Sequence, residues 1–458
     1  MFNKILEFIS GAVWGLPTVA LIVGAGGYFT IRLGLPQLRL KSIFGSWRGG
    51  ESSGEKAASP FQSLSTALAA TVGTGSVTGV ATALTLGGPG AIFWLWVSAF
   101  FGMAVAYAEG YLSVKYRQNL PDGSRRGGIW FALRDGLGAG KTAAVYALFC
   151  LLASFGMGSM AQTNSAAEAL FGEFSLPKPI CGLVCAALIA CCMAGSGGFA
   201  RKLCEGAVPL LAGLYVTGAA AVIAANFSAL PSVFSEIFGC AFGLKQAAGG
   251  AAGFAAAVSV GFRRGVFSNE AGLGTTAPVH GASSVDDPER QGMMNMLEVI
   301  VDTFVICTLT ALALLCSGAY PGTAEGAEMV VQSAKTVFGG LSGKLVAAET
   351  AGFAIATAVG WSQIGLSAAD FLLKRGKSLY KAAFILSAFC GTLFGAGAVW
   401  QISDIFNGLM AIPCLTALIL LRREIKLTFS RSNRSRVRPA PTRGAPRLRR
   451  PRERSRAE

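Results

Sequence analysis

Apolar residues recur along this chain in long blocks separated by short polar connections, from Val13 to Leu421. About 20 helical residues cover the roughly 30 Å of a bilayer's hydrocarbon core, so each block predicts a spanning helix. Counting them gives eleven expected spans: 12–33, 61–86, 90–114, 142–170, 179–197, 204–226, 248–279, 292–317, 344–373, 379–398 and 402–421. An odd number puts the two ends on opposite faces of the membrane. Connections after the odd spans carry basic residues: Arg39, Lys41, Arg48 and Lys56; Lys115, Arg117, Arg125 and Arg126; Arg201 and Lys202; Lys374, Arg375 and Lys377. Such an excess predicts that these connections face the cytoplasm. The acidic connection at Asp286, Asp287 and Glu289 falls on the same side and departs from the pattern.

Two blocks contain interruptions that an ordinary spanning helix would not choose. The second reads Thr71-Val72-Gly73-Thr74-Gly75-Ser76-Val77-Thr78-Gly79, and the seventh Phe267-Ser268-Asn269-Glu270-Ala271-Gly272-Leu273-Gly274-Thr275. Backbone released from a helix inside lipid has no water to bond, so such breaks occur where they line a cavity. With the first span set aside, spans two to six and seven to eleven form two groups of five, each opening on a broken helix, which is the pattern of an inverted repeat. Exposed helix N-termini at the breaks suit a carboxylate, and C-termini with loose carbonyls suit an ammonium group or a sodium ion, so a zwitterion matches both. Each motif read alone is equally a seam of small residues for close helix packing.

Further polar positions lie inside spans. Gln162 is placed to orient a polar ligand or to bond a neighbouring helix. Thr357 and Trp361, four residues apart, share a helical face and offer a hydroxyl and an aromatic wall, although a tryptophan also suits an interfacial belt. Met157, Phe267 and Trp361 are the bulky residues expected to limit a pocket. Intramembrane ionisable groups are costly and mark function or pairing; they are Glu109, Glu270, Asp302, Asp370 and Asp404. Glu270, inside the second break, is expected to act in coupling or gating, or to clamp Arg263 or Arg264.

Composition narrows the class. Hydrophobic residues make up 52% and charged ones 14%, and the 60 glycines exceed what a soluble helical protein uses. The single histidine, His280, leaves no multi-histidine metal site, and the 11 cysteines include no paired CxxC motif. A membrane-embedded enzyme would need a convergent acid, base or metal set, so no enzyme activity and no cofactor is expected. Residues 1–27 run on to Arg32 like a spanning helix rather than a signal peptide. Of the net charge of +15, +11 belongs to residues 422–458, where 14 Arg and Lys face 3 Glu. Rich in Arg, Pro and Ser, this segment is expected to be a disordered tail. Its charge does not point to nucleic acid; contact with anionic membrane lipid and simple topological ballast both explain it.

The segments Gly73-Thr74-Gly75-Ser76, Leu86-Gly87-Gly88-Pro89-Gly90-Ala91-Ile92-Phe93-Trp94, Ala106-Tyr107-Ala108-Glu109, Phe267 to Gly274, and Ile405-Phe406-Asn407-Gly408-Leu409-Met410-Ala411-Ile412-Pro413 resemble the alanine or glycine:cation symporter family over nearly the whole chain to about Arg423. The resemblance implies an all-α polytopic membrane protein, a leucine-transporter-like five-plus-five inverted repeat with an extra N-terminal helix. It places a transmembrane domain over 1–421, with the extra helix at 12–33, the first repeat at 61–226 and the second at 248–421. It also implies alanine or glycine as substrate, sodium as the co-transported ion, and a multi-pass cell inner membrane protein whose C-terminus is cytoplasmic. The substrate-site residues so implied are Thr74, Gly75, Gln162, Thr357 and Trp361, with Ser268 and Asn269; Ser76 and Phe267 complete the expected site, and sodium is expected near Gly73 and Ser268. Ser76 stands where the family usually has Asn, and so does Cys414. A proton-coupled carrier of another small zwitterion is the alternative.

Overall fold

Ser59 starts the first interrupted helix: its hydroxyl accepts from the Gln62 amide while the Gln62 side chain accepts from the Ser59 amide, a reciprocal cap on donors that would otherwise go unpaired. Pro60 follows at the first helical position, where its missing N–H costs nothing. In the computed structural model, which describes residues 2–48, 57–195, 197–243, 250–373 and 376–428, helices dominate. Besides Phe2–Val13 and two short helices, Leu40–Gly45 and Ile129–Phe131, those of the first half are α1 (Leu16–Arg32), α2 (Pro60–Thr71), α3 (Thr74–Gly87), α4 (Gly90–Lys115), α5 (Gly140–Phe155), α6 (Ala161–Phe174), α7 (Lys178–Ala194), α8 (Gly197–Ala225) and α9 (Leu230–Ala241). The second half adds α10 (Gly250–Asn269), α11 (Ala277–Gly281), α12 (Pro288–Val299), α13 (Thr308–Cys316), α14 (Gly326–Phe338), α15 (Gly340–Leu372), α16 (Lys377–Gly391) and α17 (Ala396–Leu420). A two-stranded ribbon, β1 (Gln118–Asn119) with β2 (Arg125–Arg126), follows α4.

Among the described residues, eight helical stretches are long and apolar enough to cross a membrane, and every span expected from the sequence overlaps a helix. The boundaries differ where local chemistry intervenes. α8 begins at Gly197, so Arg201 and Lys202 lie on the helix and not in a connection. α16 stops at Gly391, seven residues short of the expected end, and α17 begins at Ala396, six residues early, because the Gly391 to Gly395 segment breaks the helix. α9 and α14 lie between the expected spans; a search for long apolar blocks passes over helices of 12 and 13 residues with a polar face. Lys56, Lys374, Arg375 and the tail from residue 429 lie outside the described residues.

The helices pack through small side chains and apolar contacts around Val77, Leu84, Ile92, Leu95, Ala311 and Phe353, all buried. α4 runs against both α10 and α12, and α15 against α2, α5 and α6. These contacts hold the two interruptions against each other.

Candidate functional site

The first interruption is shorter than the sequence suggests. Only Val72 and Gly73 leave the helix, and Thr74 to Gly79 already form the opening turns of α3. Glycine is required at 73 by proximity: a Cβ there would run into Thr357 Oγ1 and lie 3.1 Å from its Cβ. The Thr357 hydroxyl in turn reaches the freed Val72 carbonyl at 3.4 Å. Gln162 Oε1 accepts from the Thr74 hydroxyl at 2.8 Å and from the Thr74 amide at 3.4 Å, tying α6 to the start of α3. Gln162 follows a π-helical turn, Gly156–Met160, whose Gly158 lets the Trp361 side chain come within 2.6 Å of where a Cβ would sit. Such turns recur at functional sites because they release a carbonyl from its helical partner; here Met157 O accepts from Gln162 Nε2 at 3.0 Å.

The second interruption spans residues 270–276, so Phe267, Ser268 and Asn269 form the last turn of α10. Glu270 has φ of +55°, a left-handed backbone that costs a non-glycine residue about 1 kcal/mol or more. Its buried carboxylate accepts from Trp361 Nε1 at 3.0 Å and from the Thr275 hydroxyl. Trp361 is fully buried and not an interfacial anchor. Asn269 Oδ1 receives the Ala271 amide at 3.1 Å, and its Nδ2 donates to Thr303 Oγ1 at 3.2 Å. From α4, Glu109 Oε1 accepts the Gly272 and Gly274 amides, both at 2.9 Å, and Cys414 Sγ lies 3.3 Å away. Tyr146 donates to Leu273 O at 2.7 Å. Asn269 Oδ1, Glu109 and Tyr146 thus serve backbone groups that a helix would have satisfied by itself.

The two interruptions meet at Asp302, which sits in a second π-helical stretch, Ile300–Cys307, between α12 and α13. Its carboxylate accepts the Ser76 hydroxyl from α3, Ser268 Oγ at 2.7 Å from α10 and Thr303 Oγ1 at 2.9 Å. Ser76 and Ser268 are themselves 3.2 Å apart. The cluster is buried, and its oxygen-rich donor set suits a hard monovalent cation. Sequence reading named Asp302 only among intramembrane acids; its proximity to both breaks depends on how α12 packs, which no local pattern reveals. Glu109 escaped as a site residue for the same reason.

One side of the site is roofed by aromatic rings and an arginine. Phe267 and Trp400 pack with their rings tilted at 35° and centroids 5.0 Å apart, and the Arg264 guanidinium lies 5.5 Å and 5.0 Å from those two rings. Arg264 and Arg263 approach Asp404 Oδ2 at 3.5 and 3.8 Å. The arginine pair therefore belongs to Asp404 and not to Glu270. Gly75 faces Phe267, 3.5 Å from the position a Cβ would take. Met157 Sδ accepts from Asn407 Nδ2 at 2.8 Å. His280 is buried beside Glu298 at 2.7 Å and Gln291, with no nucleophile among its partners in the described residues.

At one end of the bundle the acidic connection finds its explanation. Asp286 pairs with Arg117 and, at 3.1 Å, with Arg125. Asp370, expected as an intramembrane acid, closes the end of α15 with Arg126 at 2.6 Å and Lys377 at 3.1 Å.

The family model described as the sodium:alanine symporter family matches residues 1–437. The sodium/alanine symporter AgcS of Methanococcus maripaludis is 39% identical over 434 residues, covering 92% of this chain and 95% of that protein. A probable sodium/glutamine symporter, GlnT of Bacillus subtilis, is 35% identical, with 92% and 90% covered. Among solved structures, a sodium-coupled sialic acid symporter superposes with a TM-score of 0.57 at 15% identity, covering 91% of this chain and 87% of that one, a likeness of fold alone. A mainly helical chain with interrupted helices and a leucine-transporter-like fold, matched along almost its whole length, belongs to the sodium:alanine symporter family and is a multi-pass membrane carrier, not an enzyme.

Proposed function

We propose that this carrier takes up a small neutral amino acid, alanine or glycine, together with sodium, by alternating access between the two sides of the membrane. The observation that carries this reading is the meeting of both interrupted helices at one buried carboxylate, Asp302, through Ser76 and Ser268. In this reading the positive end of α3, around Thr74, Gly75 and Ser76, receives the substrate carboxylate, with Gln162 orienting it. The carbonyl end of α10 at Ser268 and Asn269, with the freed Val72 carbonyl and Thr357, receives the ammonium group. Sodium sits among Asp302, Ser76 and Ser268, so that a hydroxyl from each broken helix reports on the ion. Occupancy of one centre then stabilises the geometry of the other, which is the coupling a symporter needs.

Phe267, Met157 and Trp361 set the side-chain space, and Glu270, bonded to Trp361, carries closure of that space to the second break. Arg264 over Phe267 and Trp400, paired to Asp404, forms the barrier on one side; Arg117, Arg125 and Arg126 with Asp286 and Asp370 form it on the other. One helical bundle rocks against the other in this account, exposing the site alternately to the two sides.

A competition assay with purified carrier in liposomes tests the substrate assignment. Unlabelled alanine and glycine should suppress uptake of labelled alanine, and leucine and phenylalanine should not. Glutamine, the amino acid in the name of one relative, is the critical comparison; suppression by glutamine equal to that by alanine overturns the small-pocket assignment. Trp361→Ala should admit larger side chains while weakening alanine, with a change of about 1–3 kcal/mol for one or two methylenes. The buried Glu270 carboxylate favours one second reading, proton coupling, and uptake that persists without sodium but follows a pH gradient would establish it.

A further inference from the structure

One hydrogen bond behind Ser76 lies a cavity of about 650 Å³ between α8, α13, α14 and α15. Tyr215 and Thr310 line it and share a 2.7 Å hydrogen bond; the Thr310 hydroxyl also donates to Ser76 O at 3.0 Å. Leu214, Phe338, Leu341 and Leu345 line it too, and all four are exposed. Exposed leucines on helices that cross a membrane face hydrocarbon, so the cavity opens to lipid.

One lining residue contradicts that apolar character. Glu349 is the single carboxylic acid of the lining, and its Oε1 is buried with no hydrogen-bond partner among the described residues. It lies nine residues into α15, about 13 Å along the helix axis at 1.5 Å per residue. A lone carboxylate among apolar walls is costly unless something pairs with it. The volume is within the range of small-molecule pockets, which combine apolar walls with a few placed polar groups.

We infer that this cavity binds an amphipathic amine arriving from the membrane, its ammonium group on Glu349 and its apolar body along Leu214, Phe338 and Leu345. A carboxylate among apolar walls selects an occupant that joins an ammonium group to an apolar body. The cavity's wall residue Thr310 bonds to Ser76, and α15 also carries Thr357 and Trp361. An occupant therefore wedges α8 and α15 against the first break and slows transport without entering the substrate site.

Octylamine, with octanol and octanoate as chain-matched controls, tests this on the full chain in lipid nanodiscs. Octylamine should bind at least about tenfold more tightly than octanol, and octanoate should not bind, because only the ammonium completes the charge. Glu349→Gln should remove the preference for the amine, and Leu214→Trp, which fills the cavity, should weaken amine and alcohol alike. In liposomes octylamine should lower the maximal rate of alanine uptake with the half-saturating alanine concentration unchanged, and this inhibition should be lost in Glu349→Gln. Equal affinity for octylamine and octanol would overturn the inference and reduce the cavity to a slot for acyl chains. Undiminished amine binding in both variants, or displacement of octylamine by alanine, would overturn it as well. Binding on the unmodified protein and on Leu214→Trp is read without any transport step, so its outcome stands apart from the substrate assignment.

Discussion

Asp302 is fully buried and its carboxylate holds three hydroxyls, from α3, from α10 and from its own neighbour Thr303. If it also holds sodium, Asp302→Asn removes the charge and keeps the shape. The sodium concentration for half-maximal uptake should then rise about ten- to hundredfold, corresponding to about 1.5–3 kcal/mol for a lost charged partner. An unchanged sodium dependence in a variant that still transports would move the ion elsewhere. Gln162→Leu tests the substrate end: losing the amide that meets Thr74 should weaken alanine by about 1–3 kcal/mol, measured as the half-saturating concentration with sodium in excess. An unaltered value would assign Gln162 to helix packing. Arg264 is buried, with Nε and Nη1 lacking hydrogen-bond partners among the described residues, so its charge rests on Asp404 and on the faces of Phe267 and Trp400.

At the scale of elements, the interruptions differ in kind. The first is a two-residue step kept open by the absence of a side chain at Gly73, and Gly73→Ala should abolish uptake, because Thr357 and the new methyl group cannot occupy the same space. Normal transport by a folded Gly73→Ala protein would show that α15 can retreat. Gly75→Ala, whose Cβ would make ordinary contacts with Phe267, should be far milder, whereas Gly75→Leu should abolish uptake. The second interruption is a seven-residue segment stabilised from outside by Glu109, and Glu109→Gln should slow transport while leaving the protein folded, since one acceptor oxygen survives for the Gly272 and Gly274 amides. Both breaks were legible in the sequence because glycine and hydroxyl residues crowd two otherwise apolar blocks. Their extents were not: Thr74 to Gly79 look like loop by composition yet are helical, since packing on α10 and α13 supplies what propensity lacks. Gln162, Thr357 and Trp361 were found as polar or bulky exceptions on apolar faces. Asp302 and Glu109 looked no different from Asp370, and only the packing of α12 and α4 separates an acid that meets both breaks from one that closes a helix end with Arg126 and Lys377.

For the whole molecule, the two arginine clusters are held by different physics. Arg264 is held by buried aromatic rings, whereas the set around Asp286 and Asp370 consists of partly exposed ion pairs, each worth about 1 kcal/mol or less. Asp286→Asn should therefore loosen that end only modestly. Hydrogen exchange followed by mass spectrometry should show faster exchange in residues 120–128 and 282–288, with α13 unaffected; unchanged rates would mean that backbone packing alone holds that end. The most direct test of the central claim is the uptake of labelled alanine into proteoliposomes carrying the purified chain, with an inward sodium gradient, with sodium equal on both sides, and with potassium in place of sodium. The account predicts accumulation above the external concentration only under the gradient, with exchange but no accumulation when sodium is equal. Accumulation of the same size in potassium, or none with the gradient, would contradict it.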